Sequence, residues 1–299
     1  MAAQTKTIWS IGTLLQWTND FFARHEIDEP RLSAELLLAH VLGCSRMELY
    51  TQFEKVPGPA EIEKFRDLVK KRREHAPVAY LIGKSWFFSM EFAVSPDVLI
   101  PRPDTETLVE TAIRSVRLAT TWEKPEILEL GVGSGCISIA LARHVPESRV
   151  IATDISEAAL AVAEVNARGA GVLERVRLLR GDLYEALGSL PVRPRFHLTV
   201  ATPPYIATGQ IAALMPEVKD HEPRVALDGG ETGLAFYHRI VAGASEYLLP
   251  GGMLLMETGF DQAAAVAGII GDCGKFSEPR IIRDAAGHQR CVMATLREA

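Results

Sequence analysis

Thr202-Pro203-Pro204-Tyr205 places a hydroxyl, two proline residues and a phenol ring in one short stretch. The prolines hold the backbone extended and remove two N–H donors, so nearby carbonyls are left to face a ligand's own N–H groups. The ring that follows can pack on a planar group. Such a stretch suits a flat, nitrogen-bearing acceptor. About seventy residues earlier lies a glycine-rich turn, Glu129-Leu130-Gly131-Val132-Gly133-Ser134-Gly135. Glycine tolerates positive φ and lets backbone approach a ligand closely.

The spacing of that turn separates cofactors. A dinucleotide fingerprint reads Gly-x-Gly-x-x-Gly, whereas position 136 is Cys and the pattern is Gly-x-Gly-x-Gly. Glu129, two residues before the first glycine, is ill placed beside a pyrophosphate but suits a cationic sulfonium amino acid. Asp154 stands about twenty residues beyond the turn, at the end of the next apolar run, where a carboxylate can accept both hydroxyls of a ribose. One run further on, Asp182 offers a carboxylate for an adenine amino group and Leu183 an apolar wall. A strand-end Asp is often only a helix cap. Three such features in order favour S-adenosylmethionine.

These residues need a scaffold that brings successive strand ends together. From Glu126 onward, short apolar runs (127–130, 149–153, 176–179, 198–201) alternate with helical stretches (136–144, 157–168). Alternation of this kind predicts a parallel sheet with helices on both faces. Residues 280–283 and 291–296 have no helix between them and are expected to pair antiparallel at the sheet edge. The first eighty or so residues read as helices. One is expected over 31–42, with Leu32, Leu36 and Ala39 on one face and Leu38 and Leu42 beside them, and another over 59–74 with a stripe of Ile62, Phe65, Leu68 and Val69. Residues 86–94 are aromatic and β-prone, as in a hairpin. The expected division is a helical domain over 1–84, a hairpin linker over 85–100 and a larger domain over 101–299.

The tetrapeptide resembles the Asn/Asp/Ser-Pro-Pro-aromatic motif of amino-group methyltransferases. Further segments narrow the match: Leu99-Ile100-Pro101-Arg102-Pro103-Asp104-Thr105-Glu106, then Glu222-Pro223-Arg224-Val225-Ala226-Leu227-Asp228-Gly229-Gly230 followed by Gly233-Leu234-Ala235-Phe236-Tyr237, then Gly251-Gly252-Met253-Leu254-Leu255-Met256-Glu257, and the early Arg31-Leu32-Ser33-Ala34-Glu35. In these the chain resembles the HemK/PrmC group of protein-glutamine N5-methyltransferases, from about residue 10 to the C-terminus. The resemblance implies a seven-stranded, Rossmann-like class I S-adenosylmethionine-dependent methyltransferase domain behind a small helical domain that docks a protein. It implies methylation of the glutamine in the Gly-Gly-Gln motif of class I peptide chain release factors. Glu129, Gly131, Val132, Gly133, Ser134, Gly135, Asp154, Asp182, Leu183 and Thr202 are then the expected cofactor residues. Thr202, Pro203, Pro204 and Tyr205 would hold the substrate, with Thr202, Pro203 and Tyr205 acting in catalysis.

Thr202 departs from the Asn of that group. A hydroxyl on a short, β-branched arm accepts a bond but reaches less far. Losing one well-placed partner costs ~3 kcal/mol in a transition state, about a hundredfold in rate. Three readings stay open: a slowed glutamine methyltransferase, an enzyme with another acceptor, and a cofactor-binding partner of release factors with little turnover. His197 invites a general-base role but reads as a surface residue at a strand start, and Trp86, where many relatives carry Glu, as a packing change.

Composition removes other classes. The 299 residues are 47% hydrophobic and 23% charged, with a formal net charge of −6, which argues against a protein that coats nucleic acid. Lys70-Lys71-Arg72-Arg73 reads as the solvated end of a helix. The four cysteines are scattered, and the eight histidines show no metal-ligand spacing. No signal peptide or membrane-length apolar run is visible. The expectation is a cytoplasmic, monomeric enzyme with no metal, no membrane contact and no direct nucleic-acid partner.

Overall fold

The computed structural model describes residues 8–298. They form two compact units, one of residues up to Gly83 together with Met215–His221, the other of Lys84–Leu214 and Glu222–Ala299.

The helical unit contains α1 (Ile11–Arg24), α2 (Pro30–Leu42), α3 (Arg46–Thr51), α4 (Pro59–Arg73) and α5 (Val78–Ile82). Ser10 caps α1 through its hydroxyl, and Ser45 with Glu48 forms a capping box on α3. The buried face of α2 is the expected one only in part, with Ala39 buried as expected. Leu37, Leu38 and Ala34 are buried, whereas Leu32 and Leu36 are only half-buried. A helix with apolar residues on several sides is oriented by its neighbours, and here α1 and α4 cover the 34–37–38 side. The same rotation buries Glu35. Its carboxylate accepts from Arg31 Nε at 2.9 Å, Arg46 Nε at 2.9 Å and the Tyr50 hydroxyl. Burial opposes ionisation, but the bonds from Tyr50, Arg46 and Arg31 together hold the carboxyl below its ordinary range.

The basic run at the end of α4 is also corrected in part. Arg72 is buried, and its Nη1 lies 3.0 Å from Glu217 Oε1. It also donates to the carbonyl of Ala76 and to Ser33 Oγ. Glu217 belongs to a single helical turn far along the chain, so no local pattern could have shown that Arg72 has a partner.

The larger unit opens with a hairpin, β1 (Lys84–Phe87) and β2 (Met90–Ala93), and then α6 (Glu106–Leu118). Trp86 is exposed on the hairpin with Lys84 over its ring. There follow β3 (Glu126–Leu130), α7 (Cys136–His144), β4 (Arg149–Asp154), α8 (Glu157–Gly169), β5 (Val176–Arg180) and β6 (Phe196–Ala201). After the turn α9 (Pro216–Lys219), which packs with the helical unit, come α10 (Ala235–Tyr247), β7 (Leu248–Glu257), α11 (Ala263–Asp272), β8 (Arg280–Arg283) and β9 (Gln289–Thr295). The seven strands lie in the order β5-β4-β3-β6-β7-β9-β8. β3 to β7 are parallel, and β9 is antiparallel to both β7 and β8.

Alternation along the strands builds two cores. Ile127, Leu198 and Val200 pack with α6 and α7; Leu128, Leu130, Leu254 and Met256 pack with α10 and α11. Thr199 interrupts this second layer, opposite Leu128 and Leu254. Its hydroxyl is fully buried and has no hydrogen-bond partner among the described residues. Thr199→Val keeps the shape and removes the unsatisfied group, so we expect the unfolding midpoint in urea to rise by the equivalent of about 1 kcal/mol. A lower midpoint would show that the hydroxyl has a partner we have not identified.

Candidate functional site

The chain leaves β3 for β4 and β5 on one side, then crosses back to β6 and β7 on the other. The reversal lies between β3 and β6, and a crevice opens at the carboxyl ends of strands where the winding reverses. Leu130 pairs with Ala201, so Gly131 and Thr202 leave the sheet side by side. Leu130 also pairs with Thr153, which brings Asp154 to the same edge. The glycine turn and the Thr202-Pro203-Pro204-Tyr205 stretch therefore meet because of the strand order.

A cleft lies there, with about 1170 Å³ of empty space when the open solvent at its mouth is included. Glu129, Gly131, Val132, Gly133, Ser134, Asp154, Asp182, Leu183, Thr202, Pro203 and Pro204 all line it. Gly135 and Tyr205 do not. Gly135 has φ +83° and caps α7, and a Cβ there would press on Ile139 and Ala163; its smallness serves packing. Tyr205 is half-buried and packs against the core cluster that contains α10, and burial followed by the nearby Glu257 pushes its phenol up to about 12. By contrast, a Cβ on Gly131 or Gly133 would meet nothing within 4 Å. Both have positive φ, so the turn shows bare backbone to open space.

Asp154 ties that turn to β4. One carboxylate oxygen accepts from Gly133 N at 2.9 Å and the other from Ser156 N at 2.9 Å. Glu129 is buried beneath α7, where Oε2 accepts from Ser138 N at 2.9 Å and from the Ser138 hydroxyl. It thus caps the first turn of a helix, a favourable place for a carboxylate. Burial nonetheless dominates and raises its pKa to about 8. Asp182 holds Arg239 Nη2 at 2.7 Å, and the Arg239 guanidinium lies over the Phe236 ring. Local sequence showed neither partner, since both come from α10.

Two neighbours were not assigned a role in the sequence reading. The 97–102 segment forms one wall of the cleft. Buried Glu222 fastens it, accepting from Ile100 N at 3.3 Å and from Arg102 Nη2. Glu257, at the end of β7, lies beside Thr202. The motifs containing these residues are visible in sequence; their purpose depends on contacts 55 to 122 positions apart. His197 sits at the other end of β6 from Thr202, roughly 16 Å along the strand. Its Nδ1 accepts from Glu126 N at 3.0 Å, its ring packs on Trp122, and burial lowers its pKa. It is a half-buried sheet residue, remote from the cleft. Among the described residues, no group of His, Cys, Asp and Glu is arranged to hold a metal.

A parallel sheet with a glycine turn and an acid on neighbouring strand ends, facing a Pro-Pro stretch across the switch point, is the architecture of a class I, Rossmann-like methyltransferase. A family model described as a methyltransferase domain matches residues 127–221, and one described as the PrmC N-terminal domain matches residues 13–83. The chain is 42% identical to the release factor glutamine methyltransferase of Geobacter sulfurreducens, over 95% of this chain and 96% of that one. It is 44% identical to the enzyme of that name from Bordetella pertussis, over 87% and 93%. The chain belongs to the family of release factor glutamine methyltransferases. Among solved structures, the hMettl16 catalytic domain in complex with MAT2A 3'UTR hairpin 1 shares the sheet, with a TM-score of 0.54 and 13% identity over 71% of this chain and 78% of that one. At that identity it speaks to the fold alone.

Proposed function

We propose that the protein transfers a methyl group from S-adenosylmethionine to the side-chain amide nitrogen of the glutamine in the Gly-Gly-Gln loop of class I peptide chain release factors. The observation that carries this reading is the meeting of two half-sites at the β3/β6 switch point, in a chain that matches these enzymes over nearly its whole length. S-adenosylmethionine, when bound, supplies a methyl group already activated on a sulfonium. The cleft suits such a ligand: open backbone at Gly131 and Gly133, a carboxylate at Asp154 for hydroxyls, and a second at Glu129 for an ammonium group.

In this reading Gly131 to Ser134, Asp154, Leu183 and Asp182 hold the cofactor, with Asp182 also fixing Arg239. Thr202 and the Pro203 carbonyl accept the two N–H bonds of the glutamine amide. That amide is a poor nucleophile, because its lone pair is delocalised into the carbonyl; two aimed acceptors hold the nitrogen in line and stabilise charge as it develops. Tyr205 sits behind the stretch, and its backbone carbonyl is gripped by Gln262 Nε2 at 2.8 Å, so it anchors the loop. The helical unit is the docking platform for the release factor. No helix among the described residues is long and apolar enough to cross a membrane, and a release-factor substrate supports a cytoplasmic location.

The test is to incubate the protein with labelled S-adenosylmethionine and a release factor and map the label. Label on the Gly-Gly-Gln glutamine, lost when that residue is changed to Ala, supports the proposal. Tight cofactor binding without label would overturn it, and label elsewhere would point to another acceptor.

Glu129 adds a check on the cofactor half. With its pKa raised to about 8, it is largely protonated at neutral pH and must ionise to meet an ammonium group. Calorimetry at pH 7 in buffers of different ionisation enthalpy should show up to about one proton released per cofactor bound. Affinity should weaken as pH falls below 8, and Glu129→Gln should abolish the proton release. Equal release in the variant would assign the proton to another group.

A further inference from the structure

Thr202 raises a question that the methyl-transfer reading leaves open. A hydroxyl both donates and accepts, and its rotor is free. It can serve as an acceptor for an amide N–H only if something else takes its own hydrogen. The sheet register supplies that partner. Ala201 pairs with Met256 on β7, so Thr202 and Glu257 follow side by side at the strand ends. Thr202 Oγ1 donates to Glu257 Oε2 at 3.5 Å, a long bond of the kind that tightens when a substrate docks.

Glu257 is held in place independently of this contact. It is 3% exposed. Its carbonyl accepts from the Tyr237 hydroxyl at 2.9 Å, its backbone pairs with Cys291 on β9, and Thr105 hydrogen-bonds its carboxylate. Among the described residues, no cation lies in bonding contact with that carboxylate; Arg290 is spent on Asp284 and Asp104, each at 2.9 Å. A buried carboxylate with hydroxyl partners only, beside an acceptor site, is an expensive arrangement to keep without a use.

We propose that Glu257 is a positioning residue for Thr202: its carboxylate takes the Thr202 hydroxyl hydrogen, turns the Thr202 lone pairs toward the acceptor amide, and receives through Thr202 the proton that the amide nitrogen gives up. This deepens the function proposed above and rests on Thr202 facing the acceptor amide. The balance is simple. The amide nitrogen forms a bond to the methyl carbon as the carbon–sulfur bond breaks, and the departing thioether sulfur keeps that electron pair. The nitrogen then carries one proton too many. It passes an N–H proton to Thr202 Oγ1 as the Thr202 hydroxyl proton moves to Glu257. The products are a neutral N-methyl amide and a neutral Glu257 carboxyl, which returns its proton to solvent after product leaves.

The surroundings suit a group that cycles between these forms near neutral pH. Burial raises the Glu257 pKa to about 7, opposed by the Thr105 hydrogen bond; Asp104 adds to the rise, while Arg290 and Thr202 oppose it. The other groups facing it stay uncharged there: Tyr205 and Cys136 are both pushed up to about 12, and Tyr237 and Cys291 are raised further still.

The experiment measures kcat/KM for a release factor at saturating cofactor from about pH 6 to about pH 8.5. It compares wild type with Glu257→Gln, Thr202→Val and Thr202→Asn. The wild-type value should rise about tenfold per pH unit below the Glu257 pKa and level off above it. Glu257→Gln should be about tenfold slower at pH 8 and flat across this range, and Thr202→Asn should be flat as well, because a carboxamide oxygen needs no hydrogen removed to accept. Two readings do not depend on turnover. The Glu257 carboxyl carbon should titrate near 7 by NMR in the free protein, and cofactor affinity should change less than about twofold in Glu257→Gln, which alters neither Asp154 nor the glycine turn. If Glu257→Gln keeps the wild-type pH profile while Thr202→Val is impaired, the proposal fails and the role of Thr202 stands. If Thr202→Val is as fast as wild type, the role of Thr202 fails, and this proposal with it.

Discussion

Gly233→Ala is expected to abolish most methyl transfer while leaving cofactor affinity within about threefold of wild type. Gly233 has φ +74°, and an added Cβ would run into the carbonyl oxygen of Tyr205 and come within 2.7 Å of Gln262 Nε2. These are the two groups that lock the end of the Thr202-Pro203-Pro204-Tyr205 stretch in place. Gly229 is as tightly placed, since a Cβ there would lie 2.7 Å from the Pro204 carbonyl and 2.9 Å from Tyr205 Cα. The neighbouring backbone is stitched to the same loop, with Ile206 N donating to Leu227 O and Gly229 N to Ile206 O. The 227–233 segment is thus a mould for the acceptor loop, and its glycines are required by backbone against backbone. The left-handed φ costs an alanine about 1–2 kcal/mol by itself. The larger effect is displacement: moving a reacting group by about 1 Å can cost on the order of a hundredfold in rate. The cofactor residues are carried by β3, β4 and β5, outside the mould. Rate with a release factor, set beside cofactor affinity by calorimetry, gives the contrast. An unimpaired rate in the variant would mean that the loop tolerates the shift.

Asp154→Ala should weaken S-adenosylmethionine binding by several hundredfold, about 3–4 kcal/mol at roughly 1.5–3 kcal/mol per bond to a charged group. Two losses combine in that figure. The carboxylate is proposed to accept the ribose hydroxyls, and it already accepts from Gly133 N and Ser156 N at 2.9 Å each. It therefore fixes the open backbone of the turn as well as meeting the ligand. Four lone-pair positions on a carboxylate allow both duties at once. Asp154→Asn keeps one oxygen and should fall between the two. Wild-type affinity in Asp154→Ala would place the ribose elsewhere in the cleft.

The structure shows how unevenly the chain announces itself. The alternation from Glu126 onward, the antiparallel edge formed by β8 and β9, and the limits of α7 follow from local pattern, because alternating burial and helix termini are encoded in adjacent residues. The rotation of α2 does not, because Leu32, Leu36, Leu37 and Leu38 make more than one side apolar and only the packed neighbours select among them. Arg72 shows the same limit for charge. It reads as one of four solvated cations, until Glu217 arrives from a segment 145 positions away.

The cleft divides along similar lines. Eleven of its lining residues, among them Glu129, Asp154 and Thr202, are legible in the sequence from type, spacing and the family resemblance together, because a glycine turn and strand-end acids are local signatures of what they bind. Tyr205 and Gly135 fall outside the lining of the cleft, and an aromatic or a glycine beside a ligand-binding turn reads the same in sequence whether it faces the ligand or the core. The sequence by itself determined the sheet, the class of cofactor and the family, through patterns that need only neighbouring residues. Tertiary structure alone decided which carboxylates stand where. The pairing of β6 with β7 sets Glu257 beside Thr202, and the fastening of the cleft wall sets Glu222 on Arg102. The physical reason is that hydrogen bonding and desolvation act over a few ångströms of space, and only the folded chain brings residues 202 and 257 that close.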